Sequence, residues 1–117
     1  MPMTKEAVLN NLKRRDVVVL DVLSDDDYLK LHIKGSHSLP LFQNRSLFAH
    51  EVEKKFDPKK FFITYSADIT CAAAQNAAQA LKNRGMIAQA YLGGMKEWVE
   101  AGLPVEGLLA KQPVKSR

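Results

Sequence analysis

Two unbroken apolar runs constrain this chain more than any other feature: Val17-Val18-Val19-Leu20-Asp21-Val22 and Phe61-Phe62-Ile63-Thr64-Tyr65. A strand with one wet face alternates apolar and polar residues. A run of β-branched and aromatic residues without alternation is covered on both faces, as in a parallel sheet between layers of helices. Each run leads into a helix signal. Ser24 followed by Asp25, Asp26 and Asp27 is an N-cap with acidic residues on the first turn, where they suit the helix dipole. The second run meets Ser66 and a short loop, then a helix of small residues predicted over Ala72 to Asn83 and ended by Arg84-Gly85.

The remaining segments fit the same alternation. Thr4 is placed to cap a helix over Lys5 to Arg14, and the Ser24-capped helix runs through Tyr28, Leu29 and Leu31 to stop before Gly35. Ser38 to Leu41 reads as a short edge strand, where Pro40 is tolerated. Leu47, Phe48, Val52 and Phe56 at helical spacing predict a helix over residues 44–57, stopped by Asp57-Pro58. Ile87 to Leu92 is a further strand, Gly93-Gly94 a tight turn needing unusual φ/ψ, and Met95 to Glu100 a last helix closed by Ala101-Gly102-Leu103-Pro104. The expected fold is therefore α/β, a central parallel sheet of about five strands with helices on both faces. It spans residues 4–106 and leaves 107–117 as a loosely ordered basic tail.

A chain of 117 residues is long enough for one core only. Its net charge of +4 is spread in clusters such as Lys54, Lys55, Lys59 and Lys60, which read as solvated surface. Phe56 alone stands among these lysines, short of the repeated aromatic–basic interleaving of a single-strand binder, so no nucleic acid is expected as a partner. No apolar run approaches the ~20 residues that cross a bilayer, and no membrane partner is expected. The start lacks a basic-then-apolar leader, so the expected location is cytoplasmic. The single cysteine excludes an internal disulfide and a Cys-rich zinc site and suits a reducing compartment. Neither cofactor nor metal is expected.

The chemistry points to the end of the second run. Strand–loop–helix junctions are where α/β proteins place reactive groups and anion sites, because backbone N–H groups converge at the helix start. The first loop residue, which aims into that cradle, is Ser66. Ala67, Asp68, Ile69 and Thr70 form the candidate anion-binding loop, and Cys71 lies at its rim. Asp21 is expected to hold loop N–H groups, His32 to be a hydrogen-bonded structural histidine, and Trp98 to pack the last helix on the sheet.

Four elements in order carry a family resemblance. They are Val18-Val19-Leu20-Asp21-Val22 with Ser24 and Tyr28; His32-Ile33-Lys34-Gly35-Ser36-His37-Ser38-Leu39-Pro40; Tyr65-Ser66 with the loop to Cys71; and Tyr91-Leu92-Gly93-Gly94-Met95-Lys96-Glu97-Trp98 followed by Ala101-Gly102-Leu103-Pro104-Val105. In this order and spacing they resemble a single-domain rhodanese, the sulfurtransferase family. The resemblance implies a cysteine at position 66 that takes a sulfane sulfur from thiosulfate or a persulfide donor and passes it to a thiol acceptor. It implies structural support from Asp21, His32, Gly35, Gly93, Gly94 and Trp98. This chain departs from the pattern at the nucleophile, since Ser66 stands there and an alcohol far from its pKa neither attacks nor holds sulfane sulfur. Leu23 stands where the family usually has an arginine, and the loop carries Asp68 and no arginine. The thiosulfate-type activity is therefore expected to be impaired or absent. The alternatives are a non-catalytic module that binds a protein partner or small anion, and a sulfur carrier or redox sensor acting through Cys71, which matches a second cysteine of some family members.

Overall fold

The computed structural model describes residues 3–41 and 44–111. Its elements follow in the order α1 (Lys5–Asn11), β1 (Val17–Asp21), α2 (Asp25–Lys30), β2 (His32–Ile33), β3 (His37–Ser38), α3 (Arg45–Lys55), β4 (Phe61–Tyr65), α4 (Ala73–Asn83), β5 (Ile87–Tyr91), α5 (Gly94–Glu100) and β6 (Val105–Glu106), with a 3-10 turn at Leu109–Lys111. The helix starts follow from capping chemistry. The side chains of Thr4, Ser24 and Asn44 accept from the N–H groups of Ala7, Asp27 and Leu47, satisfying donors that have no partner inside the helix.

The central sheet has the strand order β3-β1-β4-β5. Its three ladders are all parallel. It has four strands where about five were expected, because β2 and β6 pair antiparallel with each other outside it. Asp21, Tyr65 and Tyr91 share one register row, so the C-terminal ends of β1, β4 and β5 line up. That is the edge at which open α/β sheets bind ligands.

Side chains alternate across the two covered faces. Val18, Leu20, Phe62 and Ala88 pack against Phe48, Ala49 and Val52 of α3 and Ala77, Ala78 and Leu81 of α4. Val19, Ile63, Tyr65 and Tyr91 pack on the opposite face with Val8 of α1 and Trp98 of α5. Each fully buried aliphatic or aromatic side chain contributes about 1.5–3 kcal/mol of transfer free energy. Trp98 is fully buried, sits edge-on to Tyr91, and donates its indole N–H to the Pro104 carbonyl. The alanines of α4 bring its backbone close to the sheet, and the Thr64 hydroxyl donates to the Ala74 carbonyl at 2.7 Å.

Several boundaries differ from the sequence expectation: α1 ends at Asn11 and not Arg14, and the edge strand is His37–Ser38 and not Ser38 to Leu41. Residues 105–111, expected in part as loose tail, continue the fold. β6 pairs with β2, and the Leu108 N–H donates to the Leu29 carbonyl. Residues 112–117 lie outside those described. The last helix begins at Gly94, one residue before its predicted start. None of the described helices is long and apolar enough to cross a membrane.

Candidate functional site

β4 ends by sending two hydroxyls to opposite faces, as the pleat requires. Tyr65 is fully buried, and its hydroxyl accepts from the Ile33 N–H at 3.1 Å and bonds to the Ser36 hydroxyl at 2.9 Å. Ser36 gives its own proton to the Ile33 carbonyl at 2.7 Å, so Tyr65 is the donor to Ser36. Burial, followed by the Asp21 charge, pushes the Tyr65 phenol well above its ordinary range. This three-residue lock, with Tyr65 at its centre, was not anticipated from the sequence.

Asp21 lies beside Tyr65 and is also fully buried. One carboxylate oxygen accepts from the Leu23 N–H at 3.0 Å, and the other, Oδ2, has no hydrogen-bond partner. Burial raises its pKa above the usual carboxylate value. His32 donates from Nδ1 to the Tyr28 carbonyl at 2.7 Å, stacks on the Tyr28 ring at 3.6 Å, and holds Nε2 3.5 Å from the Glu106 carboxylate. Gly35 turns the chain at φ 95° between β2 and β3. Asp21 and His32 tie the β2–β3 segment to the sheet and to α2, the Asp21 carbonyl accepting from the Leu39 N–H and His32 bonding to Tyr28.

That loop carries Ser66, Ala67, Asp68, Ile69, Thr70, Cys71 and Ala72. Ser66 follows the strand directly and is 1% exposed. Its carbonyl and that of Ala67 accept from the N–H groups of Met95 and Lys96 at 3.0 and 2.9 Å. Asp68 turns inward on its own loop. Its carboxylate accepts from the Thr70 N–H and hydroxyl, and its carbonyl accepts from the Cys71 N–H. Two loop amides are thus used inside the loop, and the Thr70 hydroxyl, followed by the Thr70 N–H, holds Asp68 below the usual carboxylate range. Ile69, at the loop's outer side, is 75% exposed.

Cys71 is half-buried and free. The Ser66 hydroxyl is the largest influence on it and favours the thiolate, and the backbone N–H groups of Ala73 and Ala67 act the same way. Burial and the Asp68 charge oppose them, and the thiol is left below its ordinary value. Beside the loop, a cavity of about 230 Å³ is lined by Asp68, Ile69, Gly93, Lys96, Glu97 and Glu100, and its lysine pairs with Glu100 at 2.8 Å. Larger cavities lie elsewhere, one of 340 Å³ against α3 and one of 490 Å³ beside α4 and β5. Among the described residues no group of three His, Cys, Asp or Glu side chains is placed to hold a metal.

The two turn glycines serve different ends. Gly94 has φ 64°, the unusual value expected, but Gly93 has φ −62°, which any residue adopts. A side chain at Gly93 would instead crowd the Glu97 side chain, whose Cβ would stand 2.9 Å from the added Cβ. The Glu97 carboxylate accepts from the buried Tyr91 hydroxyl at 2.6 Å.

The family model of the Rhodanese-like domain matches residues 4–101. The chain belongs to the rhodanese-like family. Solved structures agree on the fold. The BH2092 protein from Bacillus halodurans superposes with a TM-score of 0.80 at 23% identity, covering 99% of this chain and 84% of its own. The rhodanese-like domain of the Alr3790 protein from Anabaena gives 0.77 at 19% identity, covering 99% and 86%. Thiosulfate sulfurtransferase from Pseudomonas aeruginosa gives 0.66 at 25% identity, covering 91% of this chain and only 20% of that enzyme. No curated protein matches the chain.

Proposed function

We propose that this rhodanese-like domain is a sulfur-transfer protein whose thiosulfate activity is impaired at Ser66 and whose remaining thiol chemistry runs through Cys71. What supports this is the placement of the buried Ser66 and the half-buried Cys71 on one loop at the C-terminal edge of the sheet, where the Ser66 hydroxyl, followed by the Ala73 and Ala67 amides, lowers the thiol below its ordinary value. A thiolate is the form that attacks sulfur. In the proposed reaction the Cys71 thiolate attacks the outer sulfur of a persulfide donor. The donor's S–S bond breaks, its thiolate leaves, and Cys71 carries the sulfur as a persulfide. An acceptor thiolate then attacks that outer sulfur and releases Cys71 as thiolate. The Ser66 hydroxyl favours the Cys71 thiolate in the sulfur-free state.

Thiosulfate is a poor match to this loop. Two loop amides are engaged by Asp68, and the adjoining cavity carries three carboxylates against one lysine that is already paired. A dianion meets repulsion there. A persulfide donor and a thiol acceptor, which carry less charge, suit it better. A lone reactive thiol belongs in a reducing, cytoplasmic setting.

The test is a thiosulfate:cyanide assay on three proteins. The unaltered chain is expected near background, Ser66→Cys to gain orders of magnitude, and Cys71→Ser to stay at background. Substantial thiosulfate turnover by the unaltered chain that survives Cys71→Ser contradicts the proposal.

A further inference from the structure

The first turn of α5 holds the Ser66–Cys71 loop from behind. First-turn N–H groups of a helix have no partner inside it, and here Met95 and Lys96 spend theirs on the Ser66 and Ala67 carbonyls at 3.0 and 2.9 Å. Gly94 makes that approach possible. A Cβ on Gly94 would stand 2.5 Å from the Ser66 carbonyl oxygen and 2.8 Å from the Ala67 carbonyl carbon, against the 3.4 Å at which ordinary contact begins. Both neighbours are backbone, so neither can swing aside as a side chain would. The loop or the helix must move by close to an ångström.

We infer that Gly94 is a positioning residue for sulfur transfer: lacking a side chain, it lets α5 fix the Ser66 and Ala67 carbonyls, and so sets the Ser66 hydroxyl and the Ala67 amide against the Cys71 sulfur. The inference rests on Cys71 being the working thiol. Gly94 touches neither donor nor acceptor. It acts through the planar Ser66–Ala67 peptide unit, which carries the fixed Ser66 carbonyl and the Ala67 N–H that favours the Cys71 thiolate, and which anchors the Cα from which the Ser66 hydroxyl branches.

A backbone control separates positioning from general strain. Gly102 also has a positive φ, 71°, yet an added Cβ there meets nothing within 4 Å. Gly94→Ala and Gly102→Ala both force an L side chain into the left-handed region, and only the first presses on the loop. The readout is the pH profile of Cys71 alkylation by iodoacetamide in the full chain, unambiguous because the sequence has a single cysteine. Gly94→Ala is expected to move the alkylation midpoint to higher pH and to slow the reaction at pH 7 several-fold, while Gly102→Ala leaves the profile unchanged. Superimposable profiles for the two variants overturn the inference. If Gly94→Ala does not fold, the unaltered protein carries the test by NMR. The amide protons of Met95 and Lys96 should then titrate with the midpoint of Cys71, and amides that stay constant while the thiol ionises overturn it. Alkylation needs no sulfur donor, so a Cys71 that never accepts sulfur sinks the functional proposal without altering this readout.

Discussion

Tyr65→Phe removes one oxygen and tests whether the lock behind the loop stabilises the fold. The hydroxyl is the partner of the Ile33 N–H and the donor to Ser36, and all three residues are buried. Its loss leaves the Ile33 N–H without a partner, a penalty of about 1–3 kcal/mol, and deletes one further bond of about 1 kcal/mol. Ser36 still donates to the Ile33 carbonyl, so that bond survives. The expected loss is about 2–4 kcal/mol, or roughly 10–15 °C in Tm for a chain of this size. Tyr91→Phe is the matched control. Its hydroxyl bonds to Glu97, an exposed residue, so water can replace what is lost and the cost should stay below about 1 kcal/mol. Urea denaturation of both variants gives the comparison directly. Equal losses, or a smaller loss for Tyr65→Phe, refute the view that the buried Tyr65–Ser36–Ile33 contacts matter more than the solvent-facing one.

Further expectations concern the charged groups. Asp21→Asn should stabilise the protein at neutral pH. Its amide can still accept from Leu23, and it removes a buried carboxyl whose folded pKa is raised by desolvation. A raised acid makes the parent comparatively most stable below its unfolded pKa of about 4 and less so as pH rises through the folded value. The variant's advantage in urea midpoint should therefore shrink as pH falls towards that limit, and a difference constant with pH counts against the assignment. Ser66→Ala should move the midpoint of Cys71 alkylation to higher pH, because the hydroxyl is the largest influence lowering that thiol. An unchanged midpoint removes Ser66 from the account. Thr64→Val should lose about 1 kcal/mol by deleting the buried bond to the Ala74 carbonyl, seen as a lower urea midpoint at unchanged slope.

The sheet could be read in the sequence because its inner strands are long and apolar on both faces. Val17–Asp21 and Phe61–Tyr65 signal themselves without reference to any neighbour. The strand–loop–helix junction could be read for the same reason, and it located Ser66 and Cys71. β2 and β6 could not. Each is two residues long, with no periodicity to detect, and their pairing joins His32–Ile33 to residues more than seventy positions away. The Tyr65 lock was hidden likewise, since its partners Ile33 and Ser36 lie 32 and 29 positions upstream. At the glycine pair the sequence signalled a special backbone. It could not show that Gly94 alone has a positive φ, or that the crowding at Gly93 comes from a Glu97 side chain one helical turn on.

The most direct test of sulfur transfer at this site is intact-protein mass measurement after brief exposure to a polysulfide donor at pH 7, followed by transfer to a small thiol. The account predicts one added sulfur on the unaltered chain, its loss on adding the acceptor, and no addition to Cys71→Ser. A native protein that takes up no sulfur while its unfolded form does would contradict it, for Cys71 would then be a thiol that the fold protects rather than uses.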